Sequence, residues 1–183
     1  MGRNRERQRL GNASANKNLG IRRNAIFEKQ KLLTARSRPP NNGRPMITKM
    51  NHASIYVLDQ DSAYDFYVNK LGFTVNTDAD MGPGKRWLTV NPPDQPDLEL
   101  TLMPIGTGMV FDEQSAATMR ELVKNGTFGF GAFECADVRA TYEELKAKGV
   151  EFSKPPTEEF WGWNALFKDD SGNWFSLGQK KDD

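Results

Sequence analysis

The sequence predicts an α+β fold made of two βαβββ modules, whose strands form a curved eight-stranded sheet around a cavity with the helices outside. The first indication is Met50–Phe73, which alternates as a strand, turns at an acidic corner and continues as a helix. The second is an echo of that stretch at Phe128–Phe152. In each copy the first strand and the helix are followed by three more strand-like segments. Two such units can bury their exposed sheet faces by pairing side by side.

The first module, about residues 46–104, follows from alternation and turn chemistry. Polar and apolar residues alternate along Met50–Leu58, which predicts a strand with His52 on one face. Asp59 or Asp61 can cap the helix that follows, and Gly72 ends it. Three more strands, separated by glycine- and proline-rich turns, are predicted at Phe73–Thr77, Arg86–Val90 and Leu98–Met103.

The second module, about residues 127–180, repeats this order after a connector at 105–126. The connector carries a helix that Asp112 or Ser115 can cap. In the module itself a strand at Phe128–Cys135 leads to a helix that Asp137 caps, and Pro155-Pro156 is predicted to be a loop. The remaining strands are predicted at Val150–Ser153, Trp161–Phe167 and Asn173–Gly178.

Residues 1–45 differ in composition from the domain at 46–183. They carry twelve Lys or Arg against two acidic residues, a net charge of +10, whereas the remainder carries −9. Their low content of aromatic residues predicts a disordered basic tail. Three sharper interpretations stay open: a nucleic-acid-binding arm, an organellar transit peptide, or an upstream start codon before Met46. No aromatic stacking surface accompanies the arginines, which disfavours nucleic acid as a partner.

The composition of the chain is that of a soluble globular protein, and a cytoplasmic location is expected unless the tail is a transit peptide. Charged residues make up 27% of its 183 residues. The sequence has no run of eighteen or more apolar residues, so no membrane span is expected. Cys135 is the single cysteine, which excludes an internal disulfide and is typical of a reducing compartment.

Three stretches resemble the vicinal oxygen chelate superfamily, which includes glyoxalase I, extradiol dioxygenases and bleomycin resistance proteins. They are NHASIYVLDQDSAYDFYVNKLGF at 51–73, LELTL at 98–102 and WGWNALFKDDSGNWFSL at 161–177. The last is similar to the closing hairpin of that family, in which a turn of DPDGN type joins the final two strands. The resemblance covers about Met46 to Gln179 and implies a ligand cavity, and it also implies a homodimer.

The resemblance also implies a divalent metal, such as Zn, Ni, Mn or Fe, held by one residue from each of four strands. His52 and Glu99 stand at the two positions of the first module. In the second module the histidine position falls on Phe130 or, without a gap, on Gly129, and the carboxylate position falls on Ser176. Half of the ligand set is therefore present, so a metal and no metal remain equal alternatives. A site with two histidines within one subunit is impossible because the chain has one histidine.

Two carboxylates are candidate catalytic groups. Glu99 faces the same cavity as His52, and the pair could act on a substrate with or without a metal. Glu134 is predicted to face the cavity if it shares the face of Phe130, although it could equally lie at the rim in water. The other predicted cavity residues are aromatic or carry a hydroxyl group: Tyr56, Trp87, Thr101, Phe130, Trp163, Trp174 and Ser176.

These features predict a protein that binds a small, partly apolar organic ligand in a cavity. One hypothesis is a glyoxalase-like lyase or isomerase that acts on a small oxygenated metabolite. The alternative is a metal-free binding protein of the bleomycin-resistance kind, which sequesters its ligand between aromatic walls. A nucleic-acid-associated protein is a remote third possibility, which depends on the basic tail alone.

Overall fold

Strands and helices follow one another in the predicted order in the computed structural model, which describes residues 47–108 and 110–181. The predicted tail at 1–45 lies outside the described residues. The strands are β1 His52–Val57, β2 Thr74–Asp80, β3 Arg86–Asn91, β4 Glu99–Pro104, β5 Gly129–Glu134, β6 Glu151–Glu159, β7 Gly162–Lys168 and β8 Trp174–Lys180. Helix α1 spans Gln60–Tyr64 and continues as a π-helical turn over Asp65–Lys70, α2 spans Glu113–Lys124 and α3 spans Val138–Ala147. In the described part of the chain, no helix is both long and apolar enough to cross a membrane.

The helices begin at the residues expected to cap them. The side chains of Asp59, Asp112 and Asp137 each accept a hydrogen bond from a backbone N–H in the first turn of the helix that follows. An acceptor at this position satisfies a donor that the helix itself leaves unpaired. Gly72 and Gly149 follow α1 and α3 with positive φ angles of 76° and 79°, a conformation that glycine adopts without strain.

The strands form two four-stranded sheets, one from each module. The first sheet has the order β1-β4-β3-β2 and the second the order β5-β8-β7-β6. In each sheet the first and last strands of the module pair in parallel, whereas the other pairs are antiparallel. The predicted α+β class and the two βαβββ modules are therefore confirmed.

One hydrophobic core is shared by the two sheets. Phe66 and Tyr67 of α1 are buried, and their rings lie 6.5 Å from Phe167 and 6.4 Å from Phe175 of the second sheet. Buried residues of the first sheet, such as Leu102, belong to the same cluster. Helix α1 thus packs between the two sheets, where the sequence predicted it outside a single curved sheet. The physical reason is that α1 presents aromatic side chains to the second sheet as well as apolar ones to the first.

A buried carboxylate at the turn between β7 and β8 joins the modules. Oδ2 of Asp169 accepts hydrogen bonds from the hydroxyl group of Tyr67 (2.8 Å) and from Nδ2 of Asn173 (2.8 Å). Oδ1 of Asp169 accepts hydrogen bonds from three backbone N–H groups of the turn. Nδ2 of Asn173 also donates to the carbonyl oxygen of Tyr56 in the first module, at 2.9 Å. Burial raises the pKa of Asp169 despite these donors, and it also raises the pKa of Tyr67.

The predicted loop at Pro155-Pro156 is wrong, because β6 runs through both prolines. Strand β6 lies at the edge of the second sheet, where a residue without an N–H group does not interrupt a ladder on its outer side. Its register against β7 shifts between Lys154 and Thr157, which accommodates the two prolines.

We expect Tyr67→Phe to lower the free energy of unfolding by about 1–3 kcal/mol, because it removes a buried hydrogen bond to a carboxylate. Urea unfolding of the full chain measures the loss. Tyr142→Phe is the matched control, since the hydroxyl group of Tyr142 is bonded only to the exposed Lys146. Equal stability of the two variants would contradict the importance of the Tyr67–Asp169 contact.

Candidate functional site

Each sheet has an open face, which is the face that points away from the shared core. In the first sheet, Leu88, Val90, Leu100 and Leu102 point into the core and are buried. Alternation places the intervening residues on the open face of the first sheet: His52, Tyr56, Trp87, Thr89, Glu99 and Thr101. Five of these six residues were predicted to line the cavity, and Thr89 was not.

His52 and Glu99 meet on this face as the sequence predicted. They are register partners in the parallel pair of β1 and β4, and Nε2 of His52 lies 3.4 Å from Oε2 of Glu99. Thr89 donates a hydrogen bond from its hydroxyl group to the same oxygen, at 2.9 Å, and accepts one from the backbone N–H of Thr77. The carboxylate is thus fixed between a hydroxyl group and an imidazole that is 39% exposed.

Thr89 was missed because a threonine in a strand is usually a packing residue. Its register partner is Thr101 of β4, which is also on the open face and is almost completely buried. Alternation from Trp87 would have placed Thr89 on this face, next to the carboxylate.

The two predicted aromatic residues of the first sheet have different surroundings. The ring of Trp87 lies 6.3 Å from that of His52, on the open face. Tyr56 instead packs edge-on against Phe111 at 5.1 Å, beside the small core under α2. Tyr56 therefore belongs to a packing cluster, because the connector helix covers that end of the first sheet.

The open face of the second sheet carries Ser176, whose hydroxyl group donates a hydrogen bond to Oδ1 of Asn164 at 2.6 Å. Ser176 pairs with Ala132 of β5, as Glu99 pairs with His52 in the first module. The structure thus pairs Ser176 with Ala132, whereas the sequence predicted Phe130 or Gly129 at the position opposite Ser176. The register of β5 shifts between Gly129 and Gly131, a local irregularity that counting residues along a single sequence does not detect.

Two aromatic residues expected in the cavity face the core instead. Phe130 lies 5.9 Å from Phe175 and packs against the shared core, because the register shift turns its side chain to that face. Trp163 is on the same face of β7 as Ala165, and the guanidinium group of Arg139 from α3 stacks on its ring at 3.9 Å.

The aromatic residues on the open face of the second sheet are Trp174, as predicted, and Trp161. Their rings are 38% and 41% exposed. Trp161 lies over Gly178 of β8, and Trp174 lies over Gly129 of β5. Because Trp174 and Gly178 are four residues apart, the two rings flank Ser176 over a span of roughly 13 Å.

Glu134 lies at the rim of the second sheet. Its side chain is 64% exposed and forms an ion pair with Lys180 at 2.8 Å. It therefore lacks the apolar enclosure that a buried general acid or base requires.

The described side chains do not fit a divalent metal centre. In residues 47–108 and 110–181, no three His, Cys, Asp or Glu side chains converge in a way that could hold an ion. His52 and Glu99 supply two groups, whereas a catalytic site normally uses three protein ligands and an open position. Ala132 and Ser176 stand where the other two would be expected, and the hydroxyl group of Ser176 is bonded to Asn164.

A cavity of about 310 Å³ lies on the core side of the second sheet, between the modules. Its walls are mostly apolar and its rim is charged. Of the predicted site residues only Glu134 borders it. The close pair of His52 and Glu99 and the half-exposed tryptophans lie on the open faces instead, so we place the candidate site there. The residues that line the cavity are Lys70, Leu71, Phe73, Pro92, Pro93, Asp94, Phe133, Glu134, Cys135, Thr141, Glu144, Leu145, Lys148, Phe167 and Leu177.

Comparisons with known proteins agree with this fold. The model of the Glyoxalase/Bleomycin resistance protein/Dioxygenase superfamily matches residues 49–177. The YetH protein of Bacillus subtilis (strain 168) is 36% identical over 132 residues, which are 72% of this chain and 98% of YetH.

Two solved structures are similar over nearly the whole of their own length. UcmS2 is 45% identical with a TM-score of 0.68, and the match covers 73% of this chain and 98% of UcmS2. TnmS3, an antibiotic binding protein from Streptomyces sp. CB03234, is 28% identical with a TM-score of 0.59, and the match covers 75% of this chain and all of TnmS3.

Proposed function

This chain belongs to the Glyoxalase/Bleomycin resistance protein/Dioxygenase superfamily, and from that premise we propose that it is a metal-free protein that binds and sequesters a small, partly aromatic ligand. The observation that carries the proposal is the open face of the second sheet. Two half-exposed tryptophans flank the hydrogen-bonded pair of Ser176 and Asn164 there, where a metal-dependent member would need ligands. Exposed aromatic surface with a few fixed polar groups is typical of organic-ligand sites.

The first sheet supplies the polar part of the proposed site. The pair of His52 and Glu99, held by Thr89, offers an imidazole at the surface of the first sheet. A ligand oxygen or nitrogen could hydrogen-bond to that imidazole. The similarity to TnmS3, which is an antibiotic binding protein, supports antibiotics as one class of candidate ligand.

A homodimer would complete this site. Within one chain the shared core lies between the sheets, so the two open faces point away from each other. If the open face of the second sheet of one copy covers the open face of the first sheet of another, the tryptophans lie opposite His52. Such an arrangement would also cover aromatic surface that is otherwise in water.

A second candidate function is metal-independent acid–base catalysis by a glyoxalase-like lyase or isomerase. The observation that favours it is the 3.4 Å contact between His52 and Glu99, since an imidazole oriented by a carboxylate can transfer protons. Catalysis that uses a metal at His52 would require a ligand set that the described residues lack.

Trp174→Ala and Trp161→Ala are each expected to weaken binding of the fluorescent probe 8-anilinonaphthalene-1-sulfonate about tenfold, because each removes a stacking surface. Fluorescence titration of the full chain gives the dissociation constants. Trp163→Phe is the control, since Trp163 lies under Arg139 on the core side. Equal losses in all three variants would contradict binding on the open face.

The metal-free proposal is tested by elemental analysis and by melting with and without Zn²⁺, Ni²⁺, Mn²⁺ and Fe²⁺. We expect less than one metal ion per chain, and we expect wild type and His52→Ala to respond alike to each ion. A stoichiometric metal with a rise in melting temperature that His52→Ala abolishes would contradict the proposal and support a metal-dependent enzyme.

The dimer is tested by sedimentation velocity over a hundredfold range of concentration. The expected result is a species of twice the chain mass, which Ala132→Glu converts to monomer because it places a charge within the covered face. Lys146→Glu, on the exposed side of α3, is the control and should remain dimeric. Monomeric wild type at every concentration would contradict the proposed dimer.

A further inference from the structure

Gly129 and Trp174 are register partners in the parallel pair of β5 and β8. A Cβ atom at Gly129 would overlap the ring atoms Cε2 and Cζ2 of Trp174. The φ angle of Gly129 is not in the left-handed region, so the backbone does not require glycine here. What excludes a side chain at position 129 is the indole ring itself.

The ring therefore lies across β5, on the open face of the second sheet. The backbone N–H of Trp174 donates a hydrogen bond to the carbonyl oxygen of Phe128 at 3.0 Å, which fixes the start of β8 against β5. The ring lies directly over Gly129, and Trp174 is 38% exposed. The indole is therefore placed by Gly129 and remains accessible from solvent.

The other tryptophan on this face is held less tightly. Trp161 lies over Gly178, but a Cβ atom at Gly178 would be 3.4 Å from the nearest ring carbon, an ordinary contact. A side chain could be added at Gly178 without moving the ring, whereas at Gly129 it could not. The two glycines are thus not equivalent, and only Gly129 determines where a ring can lie.

We infer that Gly129 is a positioning residue, which leaves room for the indole of Trp174 over β5 so that the exposed ring can stack on a planar aromatic ligand. The inference rests on the proposed function. A side chain at position 129 would displace the indole from this place on the open face. The ligand class that follows is a planar aromatic ring system, because stacking requires two parallel π surfaces.

The test is a double-mutant cycle in the full chain with Gly129→Ala, Trp174→Ala and the double variant. The expected affinity for 8-anilinonaphthalene-1-sulfonate is about tenfold weaker in each single variant. The double variant is expected to be no weaker than Trp174→Ala, since both changes act through the same ring. Gly131→Ala is the control, because a Cβ atom there meets nothing within 4 Å and Gly131 also has no positive φ angle.

Hydroxyl-radical footprinting provides a readout that needs no ligand. In Gly129→Ala the oxidation rate of Trp174 is expected to rise about twofold, in line with the greater exposure of a displaced ring, while that of Trp161 stays unchanged. Gly131→Ala should leave both rates at the wild-type value.

Three results would overturn the inference. Gly129→Ala could oxidise at Trp174 as wild type does, or retain wild-type affinity for the probe. Gly129→Ala could also weaken probe binding as much in the Trp174→Ala background as in wild type. That result would mean that Gly129 affects binding through the backbone of β5 and not through the indole of Trp174. A wild-type chain that does not bind the probe contradicts the proposed function, whereas the footprint still decides the role of Gly129.

Discussion

The arrangement of the whole domain depends on a buried carboxylate, Asp169, which accepts a hydrogen bond from Tyr67 of the other module. Burial outweighs the five donors and raises the pKa of Asp169. A folded-state pKa above the unfolded value favours the fold most at pH values below the ordinary carboxyl pKa of about 3.9, and this contribution is lost as the pH rises through the raised value. At neutral pH the charge therefore costs stability, while the removal of a single partner would leave buried groups unpaired. The contact defines how the modules dock more than it strengthens the fold.

The way the two modules dock determines which faces of the sheets are accessible to a ligand. Because α1 fills the space between the sheets, the faces that carry His52 and Trp174 both point outward. Helix α2 covers the Tyr56 end of the first sheet, but the chain does not bring the part of that face with His52 together with the face of Trp174. A ligand that contacts both would therefore require a second copy. The charged rim and apolar wall of the cavity between the modules lie on the opposite side of the second sheet and do not include the imidazole. The proposed function and the proposed dimer therefore both depend on the position of α1 between the two sheets.

Alternation and turn chemistry predicted the parts of the structure that repeat regularly. The duplication and the capping aspartates follow from alternation, helix periodicity and turn chemistry. The pairing of His52 with Glu99 was instead predicted from the resemblance to the family, and the structure brings the two residues together. One error occurs where the strand period of two is broken, since the register shift at Gly129–Gly131 turned Phe130 to the core. Trp163 was a different error, because regular alternation along β7 puts it on the core face with Ala165 and Phe167. Prolines inside β6 looked like a loop because sequence alone does not identify an edge strand. The network of Thr89 and the location of Trp161 depend on contacts between strands, which local spacing does not contain.

The incomplete set of metal ligands and the exposed tryptophans of the second sheet are physically related. A metal ligand must project a polar atom from the sheet, and such an atom must be desolvated or bonded when the face is covered. In the second module Ala132 has no polar atom and Ser176 has satisfied its hydroxyl group on Asn164, so that face can be covered by apolar matter at little cost. The remaining imidazole and carboxylate of the first module are already paired, and one of them would have to leave the other to bind an ion. In the proposed function, the residues at a few open-face positions therefore favour an aromatic ligand over an ion.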